Sequence, residues 1–267
     1  MENINKLEKI KRPWVVAHRG YSGRYPENTV SAFEAAIEAD ADMIELDVCL
    51  TKDRVPVVIH DQTLERTTDG HGLVSEVTLS ELKKLDAGSW FSPEFKGESI
   101  PTLEEILLQI RGKILVNIEI KPESYESAGP ADAIEKQICI MVEQFGMAES
   151  VLISSFEHSF FPRIKLWHSK HNNQTSLRTA PLQETEFSEE NVLKLCKGTE
   201  AYSFHPDERF VTPSLIEILK ANRFRTIAYT INDEKRIEQL AQWGVTGIIT
   251  DEPELMWKVL RKLKSNV

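Results

Sequence analysis

The sequence predicts an α/β fold, a (β/α)8 or TIM barrel with a small insertion after its second strand. Three observations predict it. Eight short β-rich runs alternate with segments of helical periodicity along 267 residues, a length that one such barrel fills. Ionisable side chains collect at the C-terminal ends of these runs. A ninth β-rich run breaks the alternation at one place, directly after the second. A doubly wound open sheet is the rival architecture. It carries a Gly-rich phosphate loop after its first strand, and "GYSGRYPEN" does not match GxGxxG.

Residues 1–12 are expected to form a peripheral arm or helix. "WVVAH" (14–18) is the first strand, and "NTVSAFEAAIEA" follows as a helix with Val30, Phe33, Ala36 and Ile37 on one face. "MIELDV" (43–48) is the second strand. After it come "TKDR" and "VPVVIHD" (55–61). Four residues are too few for a parallel crossover, so these runs should form an antiparallel hairpin. Counting back from the turn sets His60 roughly across from Glu45 to Asp47, and the period of two puts Glu45 and Asp47 on one face. Residues 62–101 are too long for an ordinary loop and read as an insertion over the barrel mouth, with a short helix near 78–85 and Trp90, Phe91 and Phe95 as its own core. "TLEEILLQI" opens on Thr102 with Glu105 three residues on, a capping box. The later strands are "ILVNIEIK" (114–121), "VLISSF" (151–156), "TSLRT" (175–179), "AYSFH" (201–205), "TIAYTIN" (226–232) and "GIITD" (247–251). "PSLIEILKA", with Pro213 near its start, and "EKRIEQLAQW" are among the helices between them. The expectation is one domain over 1–267.

In such a barrel the C-terminal strand ends meet on one face. They would bring together His18, Arg19, Glu45, Asp47, His60, Glu119, Lys121, Arg178, His205, Tyr229, Asn232 and Asp251. Glu45, Asp47 and Glu119 stand inside strands, where acids are poor formers and unpaired charge is strongly unfavourable. Either rim salt bridges hold them, or a hard divalent cation, Mg²⁺ or Ca²⁺, does. A single strand-end histidine reads first as a structural hydrogen-bonder. Two of them beside a carboxylate cluster suit a base and an acid working near neutral pH. Arg19 and Lys121 would supply positive charge to a developing oxyanion. The set fits hydrolysis at phosphorus better than acyl transfer, since Ser154 and Ser155 read as strand-end hydrogen-bonders with no base partner.

Composition narrows the partners. Hydrophobic content of 41% supports a real core, and a net charge of −10 argues against nucleic acid. Cys49, Cys139 and Cys196 are an odd set without CxxC spacing, which reads as free thiols in a reducing cytoplasm. The N-terminus lacks an apolar signal core, and no apolar run reaches the length of a membrane span.

The stretches "AHRGYSGRYPENTVSAFEAAIEADADMIELDVCLTKDRVPVVIHDQTLERTTDGHG", "AGSWFSPEFKGESIPTLEEIL", "NIEIK", "LISSF", "TIAYTIN" and "GIITDEP" resemble the glycerophosphodiester phosphodiesterase family, in the family's order and over nearly the whole chain. The resemblance implies a barrel of the phospholipase C-like phosphodiesterase type. It implies one divalent cation, Mg²⁺ or Ca²⁺, on Glu45, Asp47 and Glu119. His18 and His60 become general base and general acid, with Arg19 and Lys121 on the phosphate. The implied reaction splits a small glycerophosphodiester into glycerol 3-phosphate and an alcohol, and in some relatives the substrate's own 2-hydroxyl is thought to attack first. Three positions depart from the usual pattern: Asp40, Arg54 and Tyr229. The first two affect turns, and the third changes an aromatic wall of the substrate site. Lysophospholipids, cut by the same site as a phospholipase D, are the alternative substrate. A non-catalytic phosphate sensor is disfavoured because binding alone needs no acid–base pair. A homodimer is left open.

Overall fold

The structure, a computed structural model, describes residues 3–7, 9–170 and 177–265. Among the described residues nine strands form one sheet: β1 (Trp14–Ala17), β2 (Met43–Leu50), β3 (Pro56–Val58), β4 (Leu115–Ile120), β5 (Val151–Ser155), β6 (Arg178–Gln183), β7 (Ser203–Pro206), β8 (Arg225–Ala228) and β9 (Gly247–Thr250). The order is β1-β9-β8-β7-β6-β5-β4-β2-β3, and β1 also pairs with β2. The eight parallel strands therefore close into a (β/α)8 barrel, and β3 is the extra, antiparallel one. The helices are α1 (Ile4–Leu7), α2 (Val30–Glu38), α3 (Leu79–Leu82), α4 (Leu103–Ile110), α5 (Ile134–Gln144), α6 (Phe160–Lys170), α7 (Glu189–Gly198), α8 (Pro213–Ala221), α9 (Glu234–Trp243) and α10 (Pro253–Ser265).

Strand periodicity sorts the side chains into an outer and an inner set. Ala17, Ile44, Leu46, Val116, Ile118 and Ile153 face outward into a core with Phe33, Ile106, Ile138 and Phe160 of the helices. Trp14, Val16, Met43, Leu115, Leu152, Ala180, Ile227 and Ile249 face inward and form an apolar floor, which Ile4 and Leu7 of α1 close from below. The N-terminal arm is thus a barrel plug, with Ile4 fully buried and the Trp14 indole donating to the Leu7 carbonyl at 3.1 Å. Local signals fix the helix starts. The Thr102 hydroxyl accepts from the Glu105 N–H at 3.1 Å, while the Glu105 carboxylate accepts from the Thr102 N–H at 2.8 Å. Pro213 is the first residue of α8, where a missing N–H costs nothing.

The hairpin pairs Val48 with Val58 and Leu50 with Pro56, and the Ile59 N–H donates to the Asp47 carbonyl, so His60 falls opposite the ExD segment as expected. β1 pairs only the first residues of β2, and β3 takes the same edge higher up. The barrel wall is therefore extended on the side where His18 ends. Arg54, at φ +65°, forms the hairpin turn and ties it to Glu126 and Asp132, and Asp40, at φ +55°, follows the end of α2.

Three expectations need correcting. The sixth strand runs Arg178–Gln183, not 175–179, so Arg178 begins a strand instead of ending one. Its guanidinium bonds Asn5 and Glu149, near the plug, at the far end from the mouth. Residues 175 and 176 of the predicted run lie outside the described residues. The insertion's core is aliphatic: Leu64, Val74, Leu82, Ala87 and Ile100 pack with Val57 and Ile59. Trp90, Phe91 and Phe95 instead stack on one another and on Tyr25, with Trp90 38% exposed. The insertion's helix is short, α3 alone, with 3₁₀ turns around it.

Candidate active site

Above the apolar floor the inner face turns polar. Register places Glu45 beside Asn117 and Asp47 beside Glu119, with Ser154 next to Glu119 on the following strand. The acids occupy the inward positions above Met43 on β2 and above Leu115 and Asn117 on β4, which is why strand geometry brings them together. One ligand oxygen from each of Glu45, Asp47 and Glu119 lies within 4.8 Å of the others, and all three residues are buried.

The electrostatics of this triad are uneven. Burial, then the charges of Asp47 and Glu119, push Glu45 well above the usual carboxylate range. Burial and the charge of Asp47 push Glu119 up to about 7, against the pull of Lys121. Burial would also raise Asp47, but Arg19, Lys121 and His60 outweigh it and hold it below the ordinary range. The Glu45 Oε1 atom has no hydrogen-bond partner among the described residues. A buried, mutually repelling oxygen cluster with an unpartnered atom and no sulfur or nitrogen ligand matches the donor set of Mg²⁺ or Ca²⁺. The residues present therefore fit a hard divalent cation, and rim salt bridges do not account for all of their charge.

Cations flank the triad. The Arg19 N–H donates to Glu45 Oε2 at 3.0 Å, and Arg19 Nε lies 3.3 Å from Asp47 Oδ2. Lys121 Nζ donates to Glu119 Oε1 at 2.8 Å and lies 3.5 Å from Asp47 Oδ1. Asn28 Nδ2 donates to Asp47 Oδ2 at 2.9 Å. Arg19 and Gly20 both sit at positive φ. A Cβ on Gly20 would come within 2.7 Å of the Ala32 backbone, so this glycine serves a close approach to α2, not room for a ligand.

Each histidine has its own carboxylate. His18 Nδ1 meets Asp251 Oδ1 at 2.6 Å, and Asp251 also accepts from Ser22 Oγ at 2.9 Å and from Asn232 Nδ2 at 2.5 Å. His60 Nδ1 meets Asp61 Oδ1 at 2.6 Å, and Asp61 accepts from both Nε and Nη2 of Arg66. With Nδ1 engaged in both rings, Nε2 is the atom left for proton exchange. Burial would raise Asp251, but His18, Asn232 and Ser22 bring it down to about 2. Burial lowers His60 below the ordinary imidazole value, with Arg19 and Lys121 adding to the effect and Asp47 opposing it.

Tyr229 follows β8. Its ring packs edge-on against Phe156 at 6.1 Å, and its hydroxyl, buried and without a partner among the described residues, is held protonated by burial and by the charges of Asp207 and Glu119. His205 belongs to the inner wall but is fully buried and bonded to Ser203 Oγ at 2.9 Å; burial lowers it to about 3. Ser155 is the structural hydrogen-bonder expected, donating to the Ile120 carbonyl at 2.7 Å, whereas the buried Ser154 Oγ, expected to act likewise, has no partner among the described residues. The residues missed from sequence are Ser22, Glu27, Asn28, Asp61 and Arg66, together with the partnership of Asp251. Asp61 was signalled by its place directly after His60. The rest lie in loops, where spacing says nothing about which side chain reaches which ring.

Known proteins resemble this chain along its length. The model of the glycerophosphoryl diester phosphodiesterase family matches residues 18–255. A glycerophosphodiester phosphodiesterase of Caldanaerobacter subterraneus subsp. tengcongensis is 41% identical over 249 residues, covering 93% of this chain and 98% of that protein. One from Bacillus altitudinis is 37% identical, covering 94% and 99%. The structure of an Oleispira antarctica phosphodiesterase, in complex with the product sn-glycerol-3-phosphate, superposes with a TM-score of 0.82 at 29% identity, covering 94% and 97%. The barrel, its acidic triad and these matches agree: the chain belongs to the glycerophosphoryl diester phosphodiesterase family and is a phosphoric diester hydrolase.

Proposed function

We propose that this hydrolase is metal-dependent and splits small glycerophosphodiesters into glycerol 3-phosphate and an alcohol, with His18 as general base and His60 as general acid. One observation carries the reading: two carboxylate-bound histidines and two cations surround a buried acidic triad at the mouth of one barrel. Glu45, Asp47 and Glu119 hold the divalent cation, which when bound supplies a Lewis acid that neutralises charge on the phosphoryl oxygens. Arg19 and Lys121 orient the phosphodiester and stabilise the charge of the five-coordinate transition state. His18 Nε2 takes the proton of the attacking hydroxyl, that of water or the substrate's own 2-hydroxyl, as its O–P bond forms. The opposite P–O bond breaks, and His60 Nε2 gives its proton to the departing alkoxide. Attack by water gives glycerol 3-phosphate directly; attack by the 2-hydroxyl gives a cyclic phosphate, which water then opens, His60 taking the water's proton and His18 returning one to the departing 2-oxygen. Tyr229, packed edge-on against Phe156, walls the substrate site.

The lysophospholipid alternative is not favoured, because the matching relatives carry the glycerophosphodiester name and the Oleispira structure holds glycerol 3-phosphate. None of the described helices is long and apolar enough to cross a membrane. Cys49, Cys139 and Cys196 are free and buried, which supports the cytoplasmic reading.

The test is a panel of glycerophosphodiesters and lysophospholipids, assayed after chelation and after return of Mg²⁺ or Ca²⁺. Glycerol 3-phosphate release that vanishes with chelation and returns with metal is expected. Full activity in the metal-free protein, or turnover of lysophospholipids alone, would overturn the reading.

A further inference from the structure

The two histidines are held in different ways. The carboxylate on His18 is fixed by neutral donors close to the barrel, Ser22 after β1 and Asn232 after β8. The carboxylate on His60 is gripped by an arginine of the insertion. Arg66 donates from Nε to Asp61 Oδ2 at 2.6 Å and from Nη2 to Asp61 Oδ1 at 3.0 Å. The same guanidinium reaches back to Glu27, with Nη1 at 2.8 Å from Oε2 and Nη2 at 2.7 Å from Oε1. Glu27 also accepts from Arg19 Nη1 at 2.8 Å. A continuous chain of charged contacts thus runs Arg19–Glu27–Arg66–Asp61–His60.

Arg66 is 43% exposed, and an ion pair at such a site contributes little to stability. What the arrangement supplies is direction. A planar fork that serves two carboxylates at once fixes both, and a lysine ammonium cannot reproduce this. The turn that carries Arg66 is itself anchored: Leu64 is 1% exposed in the insertion's core, and Thr68 Oγ1 bonds the Leu64 carbonyl at 2.6 Å.

We propose that Arg66 is a positioning residue for the proton donor: braced on Glu27, it fixes Asp61 and through it the His60 ring, so that the insertion builds the acid half of the site and the barrel the base half. This rests on the reading of His60 as general acid. When the P–O bond to the alcohol breaks, an alkoxide must take the His60 proton, whereas p-nitrophenolate leaves as a stable anion and needs none.

The experiment compares the choline and p-nitrophenyl diesters of glycerol 3-phosphate on the metal-loaded enzyme and reads the alkyl-to-aryl ratio of kcat. Losses shared by both substrates, including any transmitted through Arg19, cancel in that ratio. For His60→Ala the ratio should fall about 100-fold or more. For Arg66→Ala it should fall about tenfold, and for Arg66→Lys by less. A ratio for Arg66→Ala within about twofold of wild type, beside a collapsed ratio for His60→Ala, overturns the positioning role alone. An unchanged ratio for His60→Ala overturns the acid assignment, and the proposal with it. Should Arg66→Ala not fold, Arg66→Lys decides by the same criterion: a lowered ratio supports the proposal and an unchanged one overturns it.

Discussion

Protonation at single residues gives the sharpest tests. His205 is buried and neutral, lowered to about 3 from an ordinary value near 6.5. The unfolded chain therefore binds a proton below pH 6.5 that the folded one refuses until about pH 3. Its contribution is full above pH 6.5 and is lost as pH falls through that window. Between pH 7 and 5 the loss amounts to about 2 kcal/mol at about 1.4 kcal/mol per unit. Denaturant midpoints at the two pH values measure it, and His205→Asn should flatten the difference. A variant that keeps the full pH dependence would assign it elsewhere. The acidic triad proposed to hold the metal titrates with a consequence for ligand binding that runs in the same direction. Glu119, near 7, and the raised Glu45 carry protons that a cation must displace. Metal affinity should thus rise between pH 5.5 and 7.5, with protons released on binding. Calorimetry in buffers of different ionisation enthalpy counts them, and a pH-independent affinity without proton release would contradict the triad as ligand set.

At the scale of elements, the turn after β1 is tightly constrained. Gly20→Ala would place a methyl group against the Ala32 backbone at φ +82°, and should cost about 1–3 kcal/mol and disturb the neighbouring Arg19. A thermal melt within error of wild type would show that the turn relaxes freely. The plug helix makes a contrasting case. Ile4→Ala empties part of the barrel floor, about 2–4 kcal/mol of stability, far from the mouth, so Tm should fall while kcat holds. Elements differed in how legible they were. The hairpin follows from a loop too short for a crossover, and the sequence alone sets His60 against Glu45 and Asp47. β6 runs on past the predicted end at residue 179 and through Pro181, a residue that in sequence argues against a strand. The insertion's core is not legible in the same way, because its aliphatics Leu64, Val74, Leu82 and Ile100 are scattered in sequence and only the fold gathers them.

For the whole molecule, the barrel explains why so much of the site could be read from sequence. A strand has a period of two and one functional end, so His18, Glu45, Asp47, Glu119 and Lys121 each had one place to go. The loops have no such rule, and the partners of the histidines lie there: Asp251 is 233 residues from His18 in sequence, and Arg66 reaches back 39 residues to Glu27. The net charge of −10 also belongs to this scale. On the proposed reading an anionic substrate would be attracted only locally, by Arg19 and Lys121 and by the cation when bound, so the metal should govern binding as well as turnover. The most direct test of the proposed chemistry is the rate of glycerol 3-phosphate release by His18→Ala and His60→Ala, each metal-loaded and each with its melting temperature checked. Both rates should fall by about 10²–10⁴ with the fold intact. Near-wild-type release by either folded variant would contradict the acid–base pair.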